Sequence, residues 1–107
     1  MQIVKHMKTD YIAEIGIDEM QRLYICPAHE TFPHIYRAAM EVNWDEKRKC
    51  LRSPKPREWS YVQWYVQIVD AARDEYGIKL SLSPDTRWVN IAQDLREAIL
   101  QTKGKNA

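Results

Sequence analysis

Cys26-Pro27-Ala28-His29-Glu30, with His34 shortly after, gathers the side chains most able to do chemistry at neutral pH. A thiolate beside imidazoles suggests a metal site, and a thiol within reach of an imidazole suggests a nucleophile with its base. A structural zinc takes four ligands in paired spacing, and here the second pair is missing. Cys50 or His6 would complete it only if the fold brought them in, so no metal is assigned. The nucleophile reading needs a third orienting group and a helix N-terminus to lower the thiol pKa. Cys26 instead ends a strand pattern just before Pro27, and no catalytic residue is assigned. The simpler reading is a small buried thiol and two surface histidines.

Other signatures of catalysis are missing. Gly16, Gly77 and Gly104 lie too far apart for a phosphate-cradling loop, and there is neither a G-x-S-x-G elbow nor an H-E-x-x-H helix. Asp70, Asp74 and Glu75 read as a solvated helix face. The sequence supports no enzyme class and implies no cofactor.

Charge is concentrated in one place. Residues 47–57 hold six bases (Lys47, Arg48, Lys49, Arg52, Lys55 and Arg57) and no acid, in a chain whose net charge is only +1. Trp44, Trp59, Tyr61 and Trp64 flank this segment, so phosphates could be neutralised while bases stack on rings. This makes the segment a candidate anion or nucleic-acid site. Against that, lysines also blunt sheet edges, and the flanking sequence is net acidic on both sides.

Four tryptophans and six tyrosines in 107 residues point to a second candidate. Aromatic residues and Arg are enriched in interfaces and ligand pockets. Trp59, Trp64 and Trp88, with Arg57 nearby, are expected to line an aromatic cleft or a self-association surface; their alternative role is to cement sheet to helices.

The elements that must position these groups follow from periodicity. Tyr11, Ala13, Ile15 and Ile17 alternate with Ile12, Glu14 and Gly16 as a strand, and Leu23 and Ile25 continue as a second that Pro27 ends. Residues 28–34 read as a loop, and 34–40 fit either a helical turn or a strand. Met40, Val42 and Trp44 alternate, and after a charged turn Lys49-Cys50-Leu51 returns as a short edge strand. Pro54 and Pro56 then exclude regular structure. Ser60 with Gln63 forms a capping box opening a helix with stripe Tyr61, Tyr65, Ile68, Val69, Ala72 and Tyr76, ended by Gly77. On this spacing Trp64 sits beside the stripe. Ile78, Leu80 and Leu82 form another strand, residues 85–89 a connection, and Asn90 with Gln93 caps a last helix carrying Ile91, Leu95 and Ile99. The predicted fold is a single α+β domain over 1–107, with ends 1–9 and 103–107 flexible. Four to five antiparallel strands carry two amphipathic helices on one face.

Composition agrees with a globular domain, at 45% hydrophobic and 29% charged residues. No apolar stretch approaches the roughly 20 residues that span a bilayer, so no membrane partner is expected. Two cysteines and no apolar leader make the cytoplasm the expected location, with both thiols free.

The pieces Ser53-Pro54-Lys55-Pro56-Arg57-Glu58-Trp59-Ser60-Tyr61, then Trp64, Glu75-Tyr76-Gly77 and Thr86-Arg87-Trp88-Val89-Asn90 carry a resemblance. Over residues 42–99 the chain resembles a family of small bacterial proteins carried on the mobile gene cassettes of integrons. The resemblance implies a compact α+β fold, frequent self-association and no settled biochemical activity; it brings no catalytic residues. A binding module, homodimeric through its aromatic cleft, is the expected function.

Overall fold

The computed structural model describes residues 8–102. The ends expected to be flexible lie outside those residues, except for Lys8 and Thr9, which open the first strand. The chain forms β1 (Lys8–Ile17), β2 (Leu23–Pro27), β3 (Asn43–Asp45), β4 (Cys50–Arg52), α1 (Tyr61–Tyr76), β5 (Ile78–Ser81), β6 (Arg87–Val89) and α2 (Gln93–Gln101). The strands make one six-stranded sheet in the order β3-β4-β2-β1-β5, with β6 also on β1. This is the α+β architecture expected from the sequence.

The four strands from the first half of the chain pair antiparallel. β5 and β6 instead join β1 in parallel, along its first and second halves respectively, so the sheet is mixed rather than wholly antiparallel. A parallel partner needs a long crossover, and α1 supplies it between β4 and β5. Three side chains hold β6, in a segment expected to be only a connection. Thr86 Oγ1 donates to the Ile12 carbonyl (2.6 Å), Arg87 pairs with Glu14, and Asn90 Nδ2 donates to the Ile17 carbonyl (3.1 Å).

β1 contains a bulge. Ile12 pairs with Pro27 but Glu14 pairs with Cys26, which leaves Ala13 as the extra residue. Ile12 and Ile15, three apart, therefore both reach the core, while Tyr11 and Ala13 face solvent. Beyond the bulge, Gly16 lies opposite Tyr24. A Cβ at Gly16 would come within 2.7 Å of the Val89 carbonyl and closer still to the tyrosine hydroxyl, so only glycine lets that ring lie across the sheet.

In α1, Ser60 Oγ accepts from the Gln63 amide (3.2 Å) while Gln63 Oε1 accepts from the Ser60 amide (2.8 Å). Gly77 ends the helix at φ 67°, in the left-handed region where a Cβ is costly. The buried stripe is Trp64, Tyr65, Ile68, Ala71 and Ala72, rotated from the expected one so that Trp64 lies inside it. α2 begins after Ala92, with no side-chain cap. Asn90, the expected cap, sits at φ 56° with its amide on β1.

The core lies between the sheet and the helices. It joins Ile12, Ile15, Leu23, Ile25 and Leu51 from the sheet to Tyr65, Ile68 and Ala72 of α1 and Ile99 of α2. Residues 34–40 resolve as a short 3-10 turn, Ile35–Arg37. The preceding loop contributes Phe32, wholly buried with its edge on Trp44 (5.9 Å) and Tyr76 (5.0 Å). That loop hangs on Asp10, whose carboxylate accepts from the His29 and Glu30 amides at 3.0 and 2.8 Å. The strand expected at Lys49-Cys50-Leu51 forms as β4 (Cys50–Arg52), but it lies inside the sheet between β3 and β2 and not at the edge, which β3 forms.

Candidate functional site

The segment leaving β4 is held extended by Pro54 and Pro56 and must turn at once into α1. It does so by stacking Trp59, the residue before the N-cap, on Trp64 in the first turn, with ring centroids 4.7 Å apart at 52°. This is a hydrophobic staple, which fixes the angle at which a chain enters a helix. Trp64 is thereby buried, and its Nε1–H has no hydrogen-bond partner. Trp59 keeps 41% of its surface exposed.

Around the pair is a groove of about 510 Å3 lined by Glu41, Pro54, Lys55, Arg57, Glu58 and the two tryptophans. Arg57 and Glu41 lie 3.9 Å apart. Arg57, Trp59 and Trp64 are thus brought together as expected, whereas Trp88 is not part of the groove. It lies on β6, opposite Ile15, with the Arg96 guanidinium 4.9 Å from its ring centre. Sequence reasoning missed Glu41 and Glu58, because nothing in their local spacing places them beside the rings.

The basic segment does not form a continuous cationic surface. Arg52 is buried beneath the sheet's outer face, bridging Asp18 (3.3 Å) and Asp45. Lys49 pairs with Glu46 and Arg57 approaches Glu41. Among the described residues Lys47, Arg48 and Lys55 form no ion pair. Half of the expected anion-binding set is therefore already matched by carboxylates.

The cysteine–histidine cluster is also dispersed. Cys26 is bonded to Cys50 in a disulfide across β2 and β4, which corrects the expectation of two free thiols. The pairing follows from register: Tyr24 faces Arg52 and Ile25 faces Leu51, so Cys26 and Cys50 come next, with Cα atoms 4.2 Å apart. His29 turns its Nδ1 to Asp10 (3.2 Å), and the His34 ring packs edge-on near Tyr36. His6 lies outside the described residues. Among the described residues no group of three or more metal-ligating side chains is gathered.

The outer face of the sheet holds a second cavity, of about 230 Å3, lined by Glu14, Tyr24, Cys26, Arg48, Cys50 and Arg52. Hydrogen bonds from Arg87 and then Tyr24 hold Glu14 below its usual range, while burial and the facing Glu14 push Tyr24 up to about 12. The Arg52 side chain, helped by the Arg48 amide, lowers Asp45 to about 2. Burial would raise Asp18 and Asp10, but their amide and side-chain donors outweigh it and both are lowered.

The sign of the pH dependence follows. A carboxyl whose folded pKa lies below its unfolded one contributes stability above the unfolded value, near 4, and loses it as pH falls through the folded value. Urea midpoints should be flat from pH 7 to 5 and fall steadily below about pH 4, as Asp10, Glu14, Asp18 and Asp45 take up protons. A midpoint unchanged at pH 2.5 would contradict this.

Comparison with known proteins gives a family. The family model described as Integron Cassette Protein Hfx_Cass5 matches residues 10–86. A solved structure of Integron Cassette Protein Hfx_Cass5, from the mobile metagenome of the North West Arm sewage outfall, is 47% identical to this chain. The match covers 92% of this chain and 99% of that one, with a TM-score of 0.47. No curated protein matches.

Proposed function

The chain belongs to the Hfx_Cass5 family of integron cassette proteins, and from that premise we propose that it is a small interaction module that pairs with a second copy of itself through the Trp59 groove. The supporting observation is an exposed tryptophan over a groove whose rim carries both signs of charge, Glu41 and Glu58 against Lys55 and Arg57. A two-fold contact is isologous, so each residue must meet its complement on the same surface of the other protomer. A rim with both acids and bases meets that demand, as a single-sign rim would not. The free face of Trp59 enters the partner's groove while Arg57 and Lys55 meet the partner's acids. Met40, 84% exposed and adjacent to Glu41 in the chain, adds apolar area at the margin. No helix of the described residues is long and apolar enough to cross a membrane.

Light scattering on a sizing column tests this. The wild type should have the mass of a dimer at low and high salt. Trp59→Ala should weaken pairing roughly thirtyfold or more, since a central interface tryptophan contributes about 2 kcal/mol or more. Because Trp59 also staples α1, Lys55→Glu with Arg57→Glu serves as a second variant that leaves the helix start intact. A monomeric wild type, or a dimer indifferent to all three changes, would overturn the reading.

A further inference from the structure

The disulfide on the sheet's outer face is placed unlike a staple between distant parts of a fold. Cys26 and Cys50 face each other across strands already joined by their own ladder, and Ser53 adds to it by donating its amide to the Leu23 carbonyl (2.8 Å) and accepting the Leu23 amide at Oγ (3.0 Å). Opening the bond leaves β2 and β4 paired. The two cysteines also differ in burial: Cys26 is half-buried, whereas Cys50 is only 4% exposed, with its sulfur 3.2 Å from the Arg48 carbonyl. Both line the 230 Å3 cavity.

The charges lining the cavity are unevenly matched. Of its charged lining residues, Glu14 is matched by Arg87, and Arg52 by Asp18 and Asp45. Arg48 forms no ion pair among the described residues and is the unmatched charge beside the sulfurs. We propose that Cys26 and Cys50 form a reversible thiol–disulfide site that exchanges with small thiols bearing a carboxylate.

In the first step the incoming thiolate attacks Cys26 Sγ, the reachable sulfur. A sulfur–sulfur bond forms between the thiol and Cys26, and the Cys26–Cys50 bond breaks with its electron pair on Cys50. Arg48, which lines the same cavity and forms no ion pair among the described residues, supplies positive charge that favours the departure of that thiolate. In the second step another thiolate attacks the small molecule's sulfur and releases Cys26 as thiolate. Two electrons have passed from two small thiols to the protein, the products are one small disulfide and two cysteine thiols, and the protons of the small thiols end on the cysteines.

The full chain, equilibrated with mixtures of reduced and oxidised glutathione and trapped with an alkylating agent, tests this by mass. The native protein should pass between disulfide and dithiol within the accessible range of ratios, with its circular dichroism unchanged. Cys50→Ser should accumulate a glutathionyl adduct on Cys26, and Cys26→Ser should react about tenfold more slowly at Cys50, since access to the sulfur governs attack. Arg48→Glu should slow reduction by both glutathione and 2-mercaptoethanol, since each attacks as a thiolate and displaces one on Cys50, but it should slow glutathione roughly fivefold more, because only glutathione also brings carboxylates to the guanidinium. A bond reduced only on unfolding, cysteines that never pair, or an equal effect of Arg48→Glu on both reductants would each overturn the proposal.

Discussion

Phe32→Ala should cost roughly 3–5 kcal/mol, the usual range for removing a large ring from a core. For a chain of this size that is a fall in Tm of about 15–25 °C by thermal denaturation. Phe32 has no exposed surface, and its ring meets Trp44 of β3 and Tyr76 at the end of α1. It is the side chain through which the loop after β2 ties the sheet's edge to the helix. Few neighbours can move in to fill the space: Tyr76 is held by the His34 amide, which donates to its hydroxyl at 2.7 Å, and Trp44 Nε1 donates to Glu46 at 2.8 Å. Phe32→Leu keeps most of the volume and loses the edge-on ring contacts, so it should lose less than half as much. A Phe32→Ala variant that melts within about 5 °C of wild type would mean the loop is not part of the cooperative core.

Phe32 also marks where local reading stops. It stands alone among polar residues and prolines, so no period of two or 3.6 announces it, and only the position of Asp10 beneath the loop turns it inward. The opposite holds for α1. Its capping box and terminal glycine are local chemistry, complete within the helix and its two flanking residues, and both are formed as the sequence predicts. The rotation of its stripe is a tertiary effect: Trp64 is drawn in because Trp59 stacks on it, a staple spacing that was present in the sequence. β1 shows a third case. Its alternation was visible, but one bulged residue, Ala13, reverses the phase, and a bulge depends on the partner strand. Asn90 had the right type and spacing for a cap; the nearer carbonyl of Ile17 took its amide instead.

The candidate site divides in the same way. Arg57, Trp59 and Trp64 are close in sequence and come together through two prolines and a helix start. The disulfide links residues 24 apart and depends on the register of β2 against β4, which the sequence did not reveal. Cysteine count and compartment argued for free thiols, and that inference concerned redox conditions, not geometry. Sulfurs set opposite each other on neighbouring strands pair or part according to the thiols around them.

Arg52→Ala should destabilise the protein by roughly 2–4 kcal/mol at neutral pH, close to the cost of breaking a buried ion pair. The arginine is nine-tenths buried, and its guanidinium is shared between Asp18 at 3.3 Å and Asp45. Its removal leaves two carboxylates facing each other's field. Asp18 keeps Arg22 at 3.0 Å, and Asp45 keeps the amides of Lys47 and Arg48, so neither is stranded and the cost stays below that of a fully buried orphan charge. The penalty should depend on pH in a definite direction. Asp45 is lowered to about 2 chiefly by Arg52, so in the variant its pKa rises toward the unfolded value. The stability that Arg52 confers is fully present above about pH 4 and is lost as pH falls through about 2, below which Asp45 is protonated with or without its partner. Urea denaturation at pH 7 and pH 3 should therefore show the gap between wild type and variant narrowed at the lower value, and closing only as pH falls through about 2. Lys47→Ala and Lys55→Ala, which break no ion pair among the described residues, should change stability by no more than about 0.5 kcal/mol at either pH. A constant difference between Arg52→Ala and wild type across the range would show that the side chain acts by packing alone. Convergence would show instead that this arginine is committed to the sheet's carboxylates, leaving Lys47, Arg48 and Lys55 as the bases of the segment free to meet an external anion.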